Sequence, residues 1–178
     1  MISIDFDTNE KGKLYILFIK ERKKTVDYIF SAICDVLFED KDVQFFVSIC
    51  GLGVTIESFI NQINSKEYIL IDKYKDKFIY RSMAKAYIKV SDRNDIDIFE
   101  KYIGEFSEGD MTLAALNTNI KYSIHDLVNS KDSLCSLLSQ AKLRIDIIDD
   151  AESFEITSQS TENLLRICTA VSRATLLM

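Results

Sequence analysis

The stretch Val43–Ile63, VQFFVSICGLGVTIESFINQI, decides how the rest of the chain is read. Val43–Cys50 is an apolar run of strand length, interrupted only by Gln44 and Ser48, which marks a strand covered on both faces. Gly51-Leu52-Gly53 ends it, and the apolar spacing beyond fits a short amphipathic helix. Strand, Gly-x-Gly, helix is how many phosphate and dinucleotide sites begin, because glycines let the backbone approach an anion at a helix N-terminus. Here the fingerprint stops short. Ile56 stands where the third glycine belongs, no Gly-Lys-Ser/Thr follows, and Glu57 opposes a phosphate. The stretch therefore reads as a tight strand exit in which Gly51 or Gly53 takes a positive φ. A small nucleotide-binding enzyme built on this turn is the alternative.

Toward the N-terminus, Ile2, Ile4 and Phe6 alternate with Ser3, Asp5 and Asp7, the period of a half-buried strand. Turn residues Thr8–Gly12 connect it to Leu14–Ile19 (LYILFI), read as a second strand covered on both faces. A helix capped at Thr25 carries the stripe Val26, Ile29, Phe30, Ile33, Cys34 and Leu37.

Toward the C-terminus, Tyr68–Ile71 precedes a long alternating stretch, Lys77–Val90. Ala84, Ala86, Ile88 and Val90 lie on its core side, while Lys77, Arg81, Lys85 and Lys89 share a basic solvent face with Met83 and Tyr87. Ser91–Asp95 opens a helix with Ile96, Phe99, Ile103 and Phe106 inward, and Thr112–Leu116 is a short strand. Ser123-Ile124-His125-Asp126 has the form of a capping box. Leu134, Leu137 and Leu138 mark a second helix or a continuation of the one that box opens. Leu143–Ile148 and Phe154–Ile156 form a hairpin around Asp149–Glu152, and a last helix starts at Ser160 or Thr161. Several hairpins and few β-α-β crossovers predict one α+β domain over residues 1–178, with a mixed, mostly antiparallel sheet and helices on its faces.

Composition narrows the function classes. The 178 residues, 47% of them hydrophobic, suffice for one substantial core, and no run of about 18 uncharged apolar residues could span a membrane. The opening MISIDFDTNE carries acids where a secretory signal has a basic segment, so the expected location is cytoplasmic. Zero prolines argue against a Pro-rich tether. Cys34, Cys50, Cys135 and Cys168 show no CxxC spacing and read as buried, reduced thiols. His125 is the only histidine, so any catalytic triad must use it, yet no Gly-x-Ser-x-Gly nucleophile motif exists. One histidine cannot supply an ordinary His-rich metal site. No catalytic residue, cofactor or metal ligand set is expected.

Charge is unevenly placed within a net −6: residues 1–90 hold 14 cations and 13 acids, residues 91–178 hold 8 and 15. The acids of the second half fall in two sets. One is Asp92, Asp95, Asp97, Glu100, Glu105, Glu108 and Asp110; the other is Asp146, Asp149, Asp150, Glu152 and Glu155. Such a half repels nucleic acid and steers basic proteins toward it. Direct nucleic-acid binding, through the cations and aromatics of Lys77–Lys89, is the lesser alternative.

In size, charge and the two acidic runs, Asp92–Asp110 and Asp146–Glu155, the chain resembles the immunity proteins of polymorphic and contact-dependent growth inhibition toxin systems. These are small antidotes that dock on a toxin domain, frequently a nuclease, and block its active site. The resemblance implies a non-catalytic bacterial protein that binds a basic toxin domain through acidic residues standing in for the nucleic-acid backbone. No motif transfers individual family residues to this sequence.

Overall fold

A computed structural model describes residues 2–7, 12–18, 23–38, 42–65, 67–75, 82–90, 92–103, 111–148 and 153–177. In chain order the elements begin β1 (Ile2–Asp7), β2 (Lys13–Phe18), α1 (Lys23–Phe38), β3 (Val43–Leu52) and α2 (Gly53–Gln62). There follow β4 (Tyr68–Lys75), β5 (Ser82–Val90), α3 (Arg93–Tyr102), β6 (Met111–Asn117) and α4 (Ile124–Asn129). The chain closes with α5 (Lys131–Ser139), β7 (Leu143–Ile148), β8 (Ser153–Ser158) and α6 (Thr161–Leu176). The eight strands form one sheet in the order β1-β2-β8-β7-β6-β3-β5-β4, antiparallel at every pairing. The expected α+β class is what the chain adopts.

The two faces of the sheet are covered unequally, and the strand sequences show why. On one face α1, α2, α3 and α6 bury the main core, contributing Ile29, Phe30, Ile33, Phe59, Phe99, Leu164 and Ile167. An aromatic chain ties these elements together: Phe30 meets Phe99 at 5.7 Å and Phe154 at 5.9 Å, and Phe59 meets Phe99 at 6.0 Å. Such edge-on or tilted pairs add about 0.5–1.5 kcal/mol each beyond the area they bury. On the other face, among the described residues, only α4 and α5 pack, over Phe46, Tyr87, Ala114 and Leu116. These helices have six and nine residues, too short to span eight strands.

β3 lies beneath both layers and is buried at six consecutive positions, which explains its unbroken apolar run. The cluster beneath α4 and α5 takes no residue from β7 or β8, and the burial of these two strands alternates strictly along the chain.

Several sequence expectations change. β2 is covered on one face only: Tyr15 and Leu17 are 37% and 45% exposed, while Leu14 and Ile16 are fully buried. The second face of β5 is not simply solvated, because α4 and α5 bury Tyr87. α1 begins at Lys23, two residues before the expected cap at Thr25. Gly51 continues the strand opposite Ala84, and Gly53 is the first residue of α2. Strand and helix therefore join with no loop between them, and no phosphate-cradling turn exists there. Cys34 is buried, Cys50 and Cys168 half-buried and Cys135 exposed, so the expectation of four buried thiols holds for Cys34 alone.

Candidate protein-binding face

The antiparallel register carries a single row of side chains across the sheet on the face opposite the main core. Following the pairings from edge to centre, it runs Asp5, Tyr15, Glu155, Asp146, Thr112, Ser48 and Tyr87. Directly paired residues in adjacent strands point to the same side, so these seven share one face. α4 and α5 cover the Tyr87 end. From Thr112 outward to Asp5 none of the described helices covers the row, and the side chains of Asp146 and Glu155 are 16% and 24% exposed.

Ion pairs organise the open part. Arg144 Nη2 donates to Asp146 Oδ1 at 2.8 Å, and its Nε lies 2.6 Å from Oδ2 as a charge contact rather than a directed hydrogen bond. Thr112 Oγ1 donates to the same Oδ1 at 2.7 Å. Lys13 Nζ donates to Glu155 Oε1 at 2.6 Å, and that hydrogen bond pushes the Lys13 ammonium above its ordinary value. The carboxylates of Asp146 and Glu155 face each other across the β7–β8 ladder, and their own cations offset the like-charge repulsion. Tyr15 and Leu17, exposed on β2, add apolar surface beside this charged row. Where α5 stops, a hollow of about 530 Å³ opens onto the row, with Ser48, Thr112, Lys85, Lys131 and Leu134 among its walls.

Of the eleven acidic positions proposed from sequence for partner contact, five are described, and they do not form one surface. Asp146 and Glu155 lie on the open face. Asp92, Asp95 and Asp97 lie at or within α3, on the other side of the sheet. Asp92 is the N-cap of α3, accepting from the Asn94 amide at 2.9 Å. Asp95 is 1% exposed and accepts from the amides of Asn64 at 2.6 Å and Ser65 at 2.9 Å, fastening the α2–β4 connection to α3. Asp97 accepts from Arg93 Nε at 2.7 Å, while Arg93 Nη2 donates to Asp35 at 2.8 Å. Glu100 sits beside that cluster, where burial pushes its carboxyl above the ordinary glutamate value against the opposing pull of Ser31 and Arg93. Glu105, Glu108, Asp110, Asp149, Asp150 and Glu152 lie outside the described residues, as do Lys77 and Arg81 of the basic stretch.

The remaining candidates are built into the scaffold or lie outside the charged row, except Lys85, which lines the hollow on this face. Lys85 Nζ stands 4.9 Å from the Tyr87 ring, and Lys89 Nζ stands 5.2 Å from the Tyr122 ring and 3.2 Å from Glu67. His125 is exposed on α4. Burial pushes the Cys34 thiol well above its ordinary value, so it is not a ready nucleophile. Among the described residues no group of three or more His, Cys, Asp or Glu side chains is placed to hold a metal ion, and no helix is long and apolar enough to cross a membrane.

Sequence reasoning missed Lys13, Tyr15, Leu17, Thr112 and Arg144 as members of this face. The signal was present in β7 and β8, whose strict alternation marks strands with one open side. No family model matches the chain, and the searches of curated proteins and of solved structures found no match.

Proposed function

We propose that this protein is a non-catalytic binding protein, an immunity-type antidote that docks on a basic bacterial toxin domain, with the open β1-β2-β8-β7 face as its contact surface. The observation that supports it is the unequal coverage of the sheet. Four helices close one face, two short helices close part of the other, and the remainder presents Tyr15 and Leu17 beside fixed ion pairs. Exposed aromatic and aliphatic anchors next to ordered polar groups are the ingredients of a protein interface.

The charge arrangement alters the mechanism expected from sequence. Glu155 and Asp146 are already paired within the chain, so a cationic toxin side chain docks by adding to or displacing Lys13 and Arg144. Such exchange contributes little net energy in water. The overall net charge of −6 then steers the encounter, while Tyr15 and Leu17 hold the complex. The test is direct binding and inhibition assays with the purified toxin domain encoded beside this gene. A saturable complex that abolishes toxin activity is the expected result. No complex at about 10 µM, where even a modest specific interface is detectable, overturns the proposal.

A further inference from the structure

The helical layer carries a second unpartnered surface, on the side of the sheet away from the open face. Eight large hydrophobic side chains are exposed among the described residues, and four of them, Tyr28, Leu165, Leu176 and Leu177, belong to α1, α6 and the α6 C-cap. That concentration marks a surface with a use, since single exposed apolar residues scattered over a protein need no explanation. Between α1 and α6 runs a groove of about 550 Å³.

Seven residues of α6 line this groove, among them Glu162, Leu165, Arg166, Thr169, Ala170 and Arg173. We propose that the groove is filled by α6 of a second copy of this chain, antiparallel to the first about a twofold axis passing between Ile167 and Cys168. An isologous contact requires a surface to be complementary to itself, and this one is. The twofold places Glu162 opposite the second copy's Arg173, Leu165 opposite its Ala170 and Arg166 opposite its Thr169. Six of the seven α6 residues on the groove map onto one another; Ala174 alone falls outside the pairing. Small Ala170 and Thr169 at the centre let the helices approach closely. Glu162 lies in the first turn and Arg173 in the last, and among the described residues neither has an ion-pair partner of its own. Asp35, the other carboxylate on the groove, is occupied by Arg93 at 2.8 Å. The dimer so formed leaves both open sheet faces outward, giving a bivalent protein whose assembly is independent of its partner-binding reading.

Sedimentation equilibrium on the full chain tests this, over about 1–300 µM, the range in which a small interface of this kind associates. The wild-type weight-average mass rises toward twice the monomer value. Glu162→Arg and Arg173→Glu each weaken the association at least about tenfold, and the two together restore it, because the charges have only exchanged places. Leu165→Asp, at a position 55% exposed in the monomer, removes the dimer while far-UV circular dichroism stays that of the wild type. A wild-type chain that stays monomeric throughout overturns the proposal. So does a dimer indifferent to both single reversals, or one that the double exchange fails to recover.

Discussion

Replacing Asp95 with alanine separates a structural carboxylate from a docking one. Its two oxygens accept from the amides of Asn64 and Ser65 at 2.6 and 2.9 Å, and the residue is 1% exposed. Hydrogen bonds to a charged group contribute about 1.5–3 kcal/mol each. Asn64 is exposed and Ser65 half-buried, so water recovers part of the loss at both amides, and the lower end of that range applies. Asp95 also stands in the first turn of α3, where a negative charge is worth about 0.5 kcal/mol through the helix dipole. The expected cost of Asp95→Ala is about 3.5 kcal/mol, with a melting temperature lower by about 7–14 °C for a chain of this size. Asp95→Asn keeps one acceptor and loses about half as much. Urea unfolding followed by circular dichroism reads the midpoint, and an unchanged m-value shows that stability alone has moved. A loss below about 1 kcal/mol refutes the reasoning. Unchanged stability with impaired partner binding returns Asp95 to the surface role its sequence neighbourhood suggests.

Three further outcomes are expected. Glu100 has its folded-state carboxyl raised by burial, so the folded chain holds its proton more tightly than the unfolded one and Glu100 lowers stability at neutral pH. Glu100→Gln therefore stabilises the protein at pH 7 by up to about 1 kcal/mol, and the difference fades as pH falls through the raised value toward 4; thermal melts across that range show it. At Gly12 an added Cβ comes 2.6 Å from Cδ1 of the fully buried Leu164, so Gly12→Ala forces a shift in the core costing about 1–3 kcal/mol, read from the melting temperature. A thiol reagent labels exposed Cys135 first and leaves Cys34 unmodified until the chain unfolds; mass spectrometry of timed digests gives the order, and early labelling of Cys34 contradicts its placement.

The sequence and the fold agree where covalent pattern and burial speak the same language. The alternation within Leu143–Ile148 and within Ser153–Ser158 sets which side chains share a face, and the β7–β8 register places Asp146 opposite Glu155. The uninterrupted character of β3 reflects layers on both sides of it. LYILFI was misread because Tyr15 and Leu17 are as apolar as a buried pair would be; an exposed binding strand and a doubly covered one look alike without knowing where the helices end. Asp95 was misplaced by grouping acids along the chain rather than around the helix. It stands four residues before Phe99 and eight before Ile103, on the buried stripe, so its helical phase marked it as internal. The unequal coverage of the two faces depends on the lengths and docking of α4 and α5 against β3 to β6, a long-range outcome that no local spacing encodes.

The central claim is that the open β1-β2-β8-β7 face meets the partner. Binding of the neighbouring toxin domain to Tyr15→Ala, Leu17→Ala and Glu155→Lys, set beside Leu165→Asp on the helical side, tests it by surface plasmon resonance, which gives both the rates and the affinity. The account predicts that Tyr15→Ala and Leu17→Ala each weaken binding about tenfold or more, as anchor residues do, with Glu155→Lys acting chiefly on the association rate and Leu165→Asp without effect on either. Full affinity in all three sheet-face variants, or loss confined to Leu165→Asp, contradicts it.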